Sequence, residues 1–195
     1  VTAELLGQIA VIPGANTPIQ YGICKITGSH CAHVIVCIGD NECIGAEPGG
    51  ARIRPMTDYP TAIWSKFVFQ PGQAQAIADY ARAQEHKPYN YFDDAIIGLQ
   101  CALHFHLPEW VTGKFGDDDS FECAQLADAA LQAGGIQAFT DKRPPGSVFP
   151  GSFEFLFIRD QWYTAQFFES FPIGWGSFKR GPRAAAEARS VQGDH

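Results

Sequence analysis

The chain reads as an α+β fold, and three observations predict it. Short apolar runs with period-2 alternation crowd into the segment up to Phe69, separated by Pro13-Gly14, Gly28-Ser29, Gly39-Asp40-Asn41 and Pro48-Gly49-Gly50. Runs with helical spacing follow, and alternation returns late, over Phe153 to Ile158. Strands, then helices, then strands, with no internal repeat, predicts an antiparallel sheet packed against a helical half.

The elements follow in order. Leu5 to Ile12 alternates weakly and ends at Pro13-Gly14, a short strand and turn. Tyr21 to Thr27 is a second candidate strand. His33 to Ile38 and Glu42 to Ala46 flank Gly39-Asp40-Asn41 and predict a hairpin. Ile53 and Trp64 to Phe69 suggest further strands, the latter stopped at Gln70-Pro71-Gly72. Gln73 to Glu85 places Ala74, Ile77, Tyr80 and Ala81 on one helical face, and Pro88 closes it. Asp93 or Asp94 caps a second helix to about Leu103. A third runs from Ser120, its N-cap, to Gly134-Gly135. Pro144-Pro145-Gly146 and Pro150-Gly151 mark a loop before the last strand. The aromatic series Trp162, Tyr163, Phe167, Phe168, Phe171, Trp175 and Phe178 reads as core or packed edge.

At 195 residues, 46% hydrophobic and 18% charged, the chain suits one domain with a sizeable core, taken as residues 1–175 with a tail at 176–195. The net charge of −7 and the Asp117-Asp118-Asp119 run argue against a nucleic-acid surface. The most apolar stretch, Ala95 to Phe105, contains Gln100 and His104 and is too short to span a bilayer. No targeting signal is visible, so a soluble protein is expected, cytoplasmic or exported without a recognisable signal peptide.

Chemistry points to Cys123. A thiol in the first turn of a helix meets the positive end of the helix dipole and unpaired N–H groups, which favour the nucleophilic thiolate. A small core cysteine is the competing reading. Upstream, His33 opens a strand, and a cysteine at a helix start with a histidine on a strand are two parts of a thiol catalyst. Alternation puts His33, Ile35 and Cys37 on one face. A three-residue loop at Gly39-Asp40-Asn41 pairs Ile38 with Glu42 and Cys37 with Cys43, and sets Glu47 opposite His33, where a carboxylate would orient the imidazole. A solvated Glu47 is the alternative. His30, His86, His104 and His106 rank below His33.

Six cysteines occur, at 24, 31, 37, 43, 101 and 123, with no Cys-x-x-Cys spacing. Strict alternation places Cys31, His33, Cys37 and Cys43 on one face, a zinc-type ligand set, but over roughly 20 Å of strand, too spread for one ion. No metal or other cofactor is expected. A Cys37–Cys43 disulfide is geometrically allowed in an oxidising compartment.

These strings together resemble the circularly permuted papain-fold thiol hydrolases, the permuted NlpC-type peptidases related to lecithin:retinol acyltransferase-like enzymes. His33-Val34-Ile35-Val36-Cys37-Ile38-Gly39-Asp40 with Ile44-Gly45-Ala46-Glu47-Pro48-Gly49-Gly50 is similar to the family's histidine hairpin. Leu5 to Ile9 resembles its opening Gly-Asp-Ile strand, with Gln8 in place of the acid. Lys87-Pro88-Tyr89-Asn90-Tyr91 resembles its Pro-Tyr-Asp segment, Phe121 to Leu126 its cysteine helix, and Pro150-Gly151-Ser152-Phe153 its closing Pro-Gly-Asp element. The resemblance covers about residues 5–157 and keeps the family's order, histidine before cysteine. One departure stands out: the third polar residue often falls twelve positions after the histidine, and here that position is Gly45.

The resemblance implies a permuted papain-like fold, with a small antiparallel barrel-like sheet against a three-helix half. It also implies thiol hydrolysis of amide bonds, extending to peptidoglycan peptides. His33 would draw the proton from Cys123, the Cys123 N–H would serve as an oxyanion donor, and Tyr89 would add a substrate or oxyanion contact. A thiol acyltransferase or esterase on lipid or acyl substrates is a second expectation, and a non-enzymatic module keeping the fold within a larger assembly is a third. The expected partner is a peptide or acyl substrate.

Overall fold

The computed structural model describes residues 2–14, 21, 24–25, 28–47, 50–87, 123–140 and 148–171. Five strands form one antiparallel sheet: β1 (Ile9–Pro13), β2 (Cys31–Gly39), β3 (Glu42–Glu47), β4 (Gly50–Pro55) and β5 (Ile63–Trp64), in the order β4-β3-β2-β1-β5. The helices are α1 (Thr2–Leu5), α2 (Gln73–Arg82), α3 (Cys123–Ala133), α4 (Pro150–Arg159) and α5 (Ala165–Glu169), with a 3-10 turn at Met56–Asp58. The α+β layout follows the sequence.

The β2–β3 hairpin turns at Asp40 and Asn41, both with positive φ (52° and 61°), as a two-residue turn requires. The register is Val36↔Ile44, Cys37↔Cys43, Gly39↔Glu42. The expected Ile38–Glu42 pair does not form, because Ile38 is an extra residue in β2. That bulge preserves the expected Cys37–Cys43 pair despite the shorter turn. A second irregularity lies against β1: Ile12 pairs with His33 and Pro13 with Cys31, leaving Ala32 as the extra residue.

Alternation then divides the sheet into two faces. Ile9, Val11, Val34, Val36, Ile38, Ile44 and Ala46 face the helices and share one core with Ile77 of α2, Leu126 and Leu131 of α3, Phe153 and Phe157 of α4, and Phe168 of α5. Ala10, Ile35 and Cys43 form a separate small cluster on the opposite face, covered by Ile12, Met56, Tyr59, Ala62 and Trp64. Because of the Ala32 bulge, Cys31 belongs to the helical face, not to the His33 face that strict alternation predicts.

Three sequence expectations change. Phe153 to Ile158 is helix, not strand: Phe153, Leu156 and Phe157 are buried at helical spacing, and Pro150 takes the first helical position, where its missing N–H costs no bond. Pro150-Gly151 thus opens a helix and is not part of a loop. Tyr21, Cys24 and Lys25 are helical, not extended. The strand expected over Trp64 to Phe69 shrinks to Ile63–Trp64, and the buried Gln8 side chain carries the following residues: its amide donates to Phe67 O (2.8 Å) and accepts from Phe67 N (3.1 Å). The expected helix over 93–103, the tail at 176–195, Ser120 and Tyr89 lie outside the described residues.

Candidate active site

Cys123 heads α3 as described and is nearly buried, at 7% exposure, among the side chains of the helical face. Small residues make this seat possible, since Ala124, Ala127 and Ala130 are fully buried and let α3 lie close on the sheet. Gly134, just past the end of α3, approaches Ile77 so closely that a Cβ there would meet its Cγ1 at 2.4 Å.

His33 points the other way. Its ring is tilted over Tyr59, 5.9 Å between centroids, and Nε2 rests against Gly45, where an added Cβ would stand 2.8 Å away. Nε2 is buried and has no hydrogen-bond partner among the described residues. Burial pushes the imidazole pKa down to about 4, against a smaller upward pull from the Glu47 charge, so the ring is neutral at pH 7.

Glu47 lies close enough to influence His33 but is occupied elsewhere. Arg54 donates to Oε2 through Nε (3.0 Å) and Nη2 (2.7 Å), and the Tyr59 hydroxyl donates to Oε1. Burial raises the Glu47 carboxyl, but the Arg54 and Tyr59 hydrogen bonds outweigh it and hold it below its usual range. The same burial and hydrogen bond push Tyr59 well above the ordinary phenol range.

The structure therefore unites His33 and Glu47 on one face and places Cys123 on the other. Among the described residues, no hydrogen bond joins His33 to Cys123 or to Glu47. The expected Glu47–His33 hydrogen bond is corrected: Arg54, which pairs with Cys43 and reaches along the β3–β4 ladder, takes the carboxylate first. Arg54 and Tyr59 both come from beyond the hairpin and have no signal in it: the β3–β4 ladder brings Arg54 within side-chain reach of Glu47, and the 3-10 turn after β4 brings Tyr59.

A second imidazole–carboxylate pair lies at the start of β2 and also escaped the sequence reading. Glu154 of α4 is buried, at 4% exposure. Its Oε2 accepts from the His30 backbone N–H (2.6 Å) and its Oε1 lies 2.9 Å from His30 Nδ1. The Glu154 charge also bears on the neighbouring Cys31 thiol. Burial raises Cys31 and pushes Cys24 up to about 12, with Glu154 adding to both, so these thiols stay protonated. The available signal was a carboxylate set inside the apolar run Phe153-Glu154-Phe155-Leu156, since buried acids occur almost always with partners.

Among the described residues, no group of three or more His, Cys, Asp or Glu side chains could hold a metal ion. No helix among them is long and apolar enough to cross a membrane. No family model matches the chain, and no curated protein matches it significantly.

Proposed function

We propose that the chain is a cysteine-dependent hydrolase of amide bonds with a permuted papain-like arrangement and Cys123 as its nucleophile. The observation that carries this reading is the seat of Cys123: a nearly buried thiol at the head of a helix bedded on an antiparallel sheet whose histidine strand comes first in the chain. A helix start favours the thiolate and offers a backbone N–H to a developing oxyanion. The thiolate attacks the carbonyl, an imidazole protonates the leaving amine, and water releases the acyl group. Peptides, those of peptidoglycan first, are the substrate class supported by the motif resemblance.

The imidazole is the open choice within this mechanism. His33, with Glu47 beside it, is the residue the sequence favours. His30 is favoured by a specific observation: Glu154 fixes its Nδ1, as an orienting acid does, and Glu154 belongs to a helix on the same side of the sheet as α3. The test is acylation by p-nitrophenyl acetate followed by peptide mapping, together with hydrolysis of a defined peptide pool by Cys123→Ala, His33→Ala and His30→Ala. An acetyl group confined to Cys123, and turnover lost in Cys123→Ala and in one histidine variant, is expected. Full turnover in Cys123→Ala would overturn the reading.

The separation of His33 from Cys123 favours a second reading, a non-enzymatic module that keeps the fold. Under it, Cys123 labels no faster than Cys24 or Cys31, and the peptide pool stays intact.

A further inference from the structure

Cys37 and Cys43 face each other across β2 and β3. The backbone tells which kind of pair they form. Cys37 N donates to Gln8 O (2.8 Å), and Cys37 O accepts from Gly7 N (3.0 Å). Both main-chain groups of Cys37 thus point toward the β1 side, and none points to Cys43. In an antiparallel ladder such a non-hydrogen-bonded pair brings its Cα atoms to about 4.5 Å, the closest approach the sheet offers. That value lies at the short end of the range a disulfide spans, about 4.4–6.8 Å. Both thiols are free and fully buried. Their other contacts are weak, Cys37 Sγ to Met56 Sδ at 4.0 Å and Cys43 Sγ to Arg54 O at 3.5 Å. The other buried thiol of β2, Cys31, is turned to the opposite face, beside Glu154.

We propose that Cys37 and Cys43 form an oxidative cross-linking site that closes in exchange with a small disulfide such as oxidised glutathione. On local opening of the hairpin, which exposes the buried Cys37 to solvent, its thiolate attacks one glutathione sulfur and releases one glutathione thiolate. Cys43, once deprotonated, attacks the Cys37 sulfur of the mixed disulfide and releases the second. Two protein thiols are oxidised to one disulfide, one glutathione disulfide is reduced to two thiols, and the two protons pass to the released glutathiones. Excess reduced glutathione drives the same exchange backwards, so the cross-link is reversible. It also acts on the His33 face. Cys43 gives up its contact with the carbonyl of Arg54, the residue whose guanidinium holds Glu47. The inference is independent of any role for Cys123.

The test equilibrates the whole chain, native and separately refolded, in a buffer of reduced and oxidised glutathione. Acid quenching, alkylation of free thiols and peptide mapping follow. The expected result, in either sample, is one peptide pair linked through Cys37 and Cys43, restored to two alkylatable thiols by excess reduced glutathione. Cys37→Ala should leave Cys43 without an intramolecular partner. Cys37 and Cys43 both alkylated in the native and refolded samples, or cross-links distributed among other cysteine pairs, would overturn the proposal.

Discussion

The two faces of the sheet use the same strands for different work. On the helical face, Val34, Val36, Ile44 and Ala46 meet the apolar sides of α2, α3 and α4, and Glu154, the one buried carboxylate among the described residues, is bound to His30. On the opposite face the apolar cluster is small, and its border carries Glu47, Arg54 and Tyr59, linked by hydrogen bonds, with the neutral His33 ring tilted over Tyr59. Apolar burial supplies most of the folding free energy, so the helical face holds the fold. The other face holds a titratable imidazole, a hydrogen-bonded carboxylate and two facing thiols.

The comparison breaks or sharpens first on catalysis. Cys123→Ala should lower peptide hydrolysis by roughly 10,000-fold or more while circular dichroism and melting stay close to wild type, because alanine suits a helix interior. The paired loss in His33→Ala or in His30→Ala then assigns the reaction to one face.

The second effect is a pH dependence owed to His33. Its folded pKa, about 4, lies below the ordinary 6.5. The unfolded chain therefore takes up this proton first, so the stabilisation is complete above pH 6.5 and fades as pH falls toward 4. Between pH 7 and pH 5 the loss should be about 2 kcal/mol in urea unfolding. His33→Gln should flatten that part of the profile. An unchanged slope would place the imidazole in water, not in the sheet.

Third, Gly45→Ala should cost about 1–3 kcal/mol, because its Cβ needs the space held by His33 Nε2 and overpacking forces the ring to move. A shift in the His33 imidazole NMR signals would report that movement. Smallest is Glu47→Gln, which removes one charge of a pair whose Arg54 side chain is 41% exposed. A stability loss of about 1 kcal/mol or less is expected, diminishing further in salt. A larger loss would mean that the Tyr59 hydrogen bond carries the network.

The sequence made some of this legible and hid the rest for identifiable reasons. The Cys37–Cys43 pair, the start of α2 and the Cys123 helix appear as expected, although the Ile38 bulge and not a three-residue loop keeps the pair, and α2 ends at Arg82, short of Glu85. The face of His33 was not readable. Both alternating sets of β2 are apolar, Val34, Val36 and Ile38 on one side and Ile35 and Cys37 on the other, so period 2 alone does not say which set meets the helices. In α4, the alternation of Phe153, Phe155 and Phe157 imitates a strand, while Phe153, Leu156 and Phe157 form the face that is buried. The partners of Glu47 and His30 come from β4, the segment after it, and α4, separations of 7, 12 and 124 residues, which no local pattern encodes.

The two bulges of β2 bear on how this chain can change length. Ile12 pairs with His33 and Pro13 with Cys31, so the β1 ladder is already in step on either side of Ala32. Deleting Ala32 would leave each of those partners in place and each side chain on its present face. The same count holds around Ile38, between Cys37↔Cys43 and Gly39↔Glu42. There, however, the extra residue fills the helical core. A one-residue shortening is therefore cheap at the mouth of the strand beside His33 and costly at its hairpin end, because a spare alanine carries little buried surface and a spare isoleucine carries a full side chain.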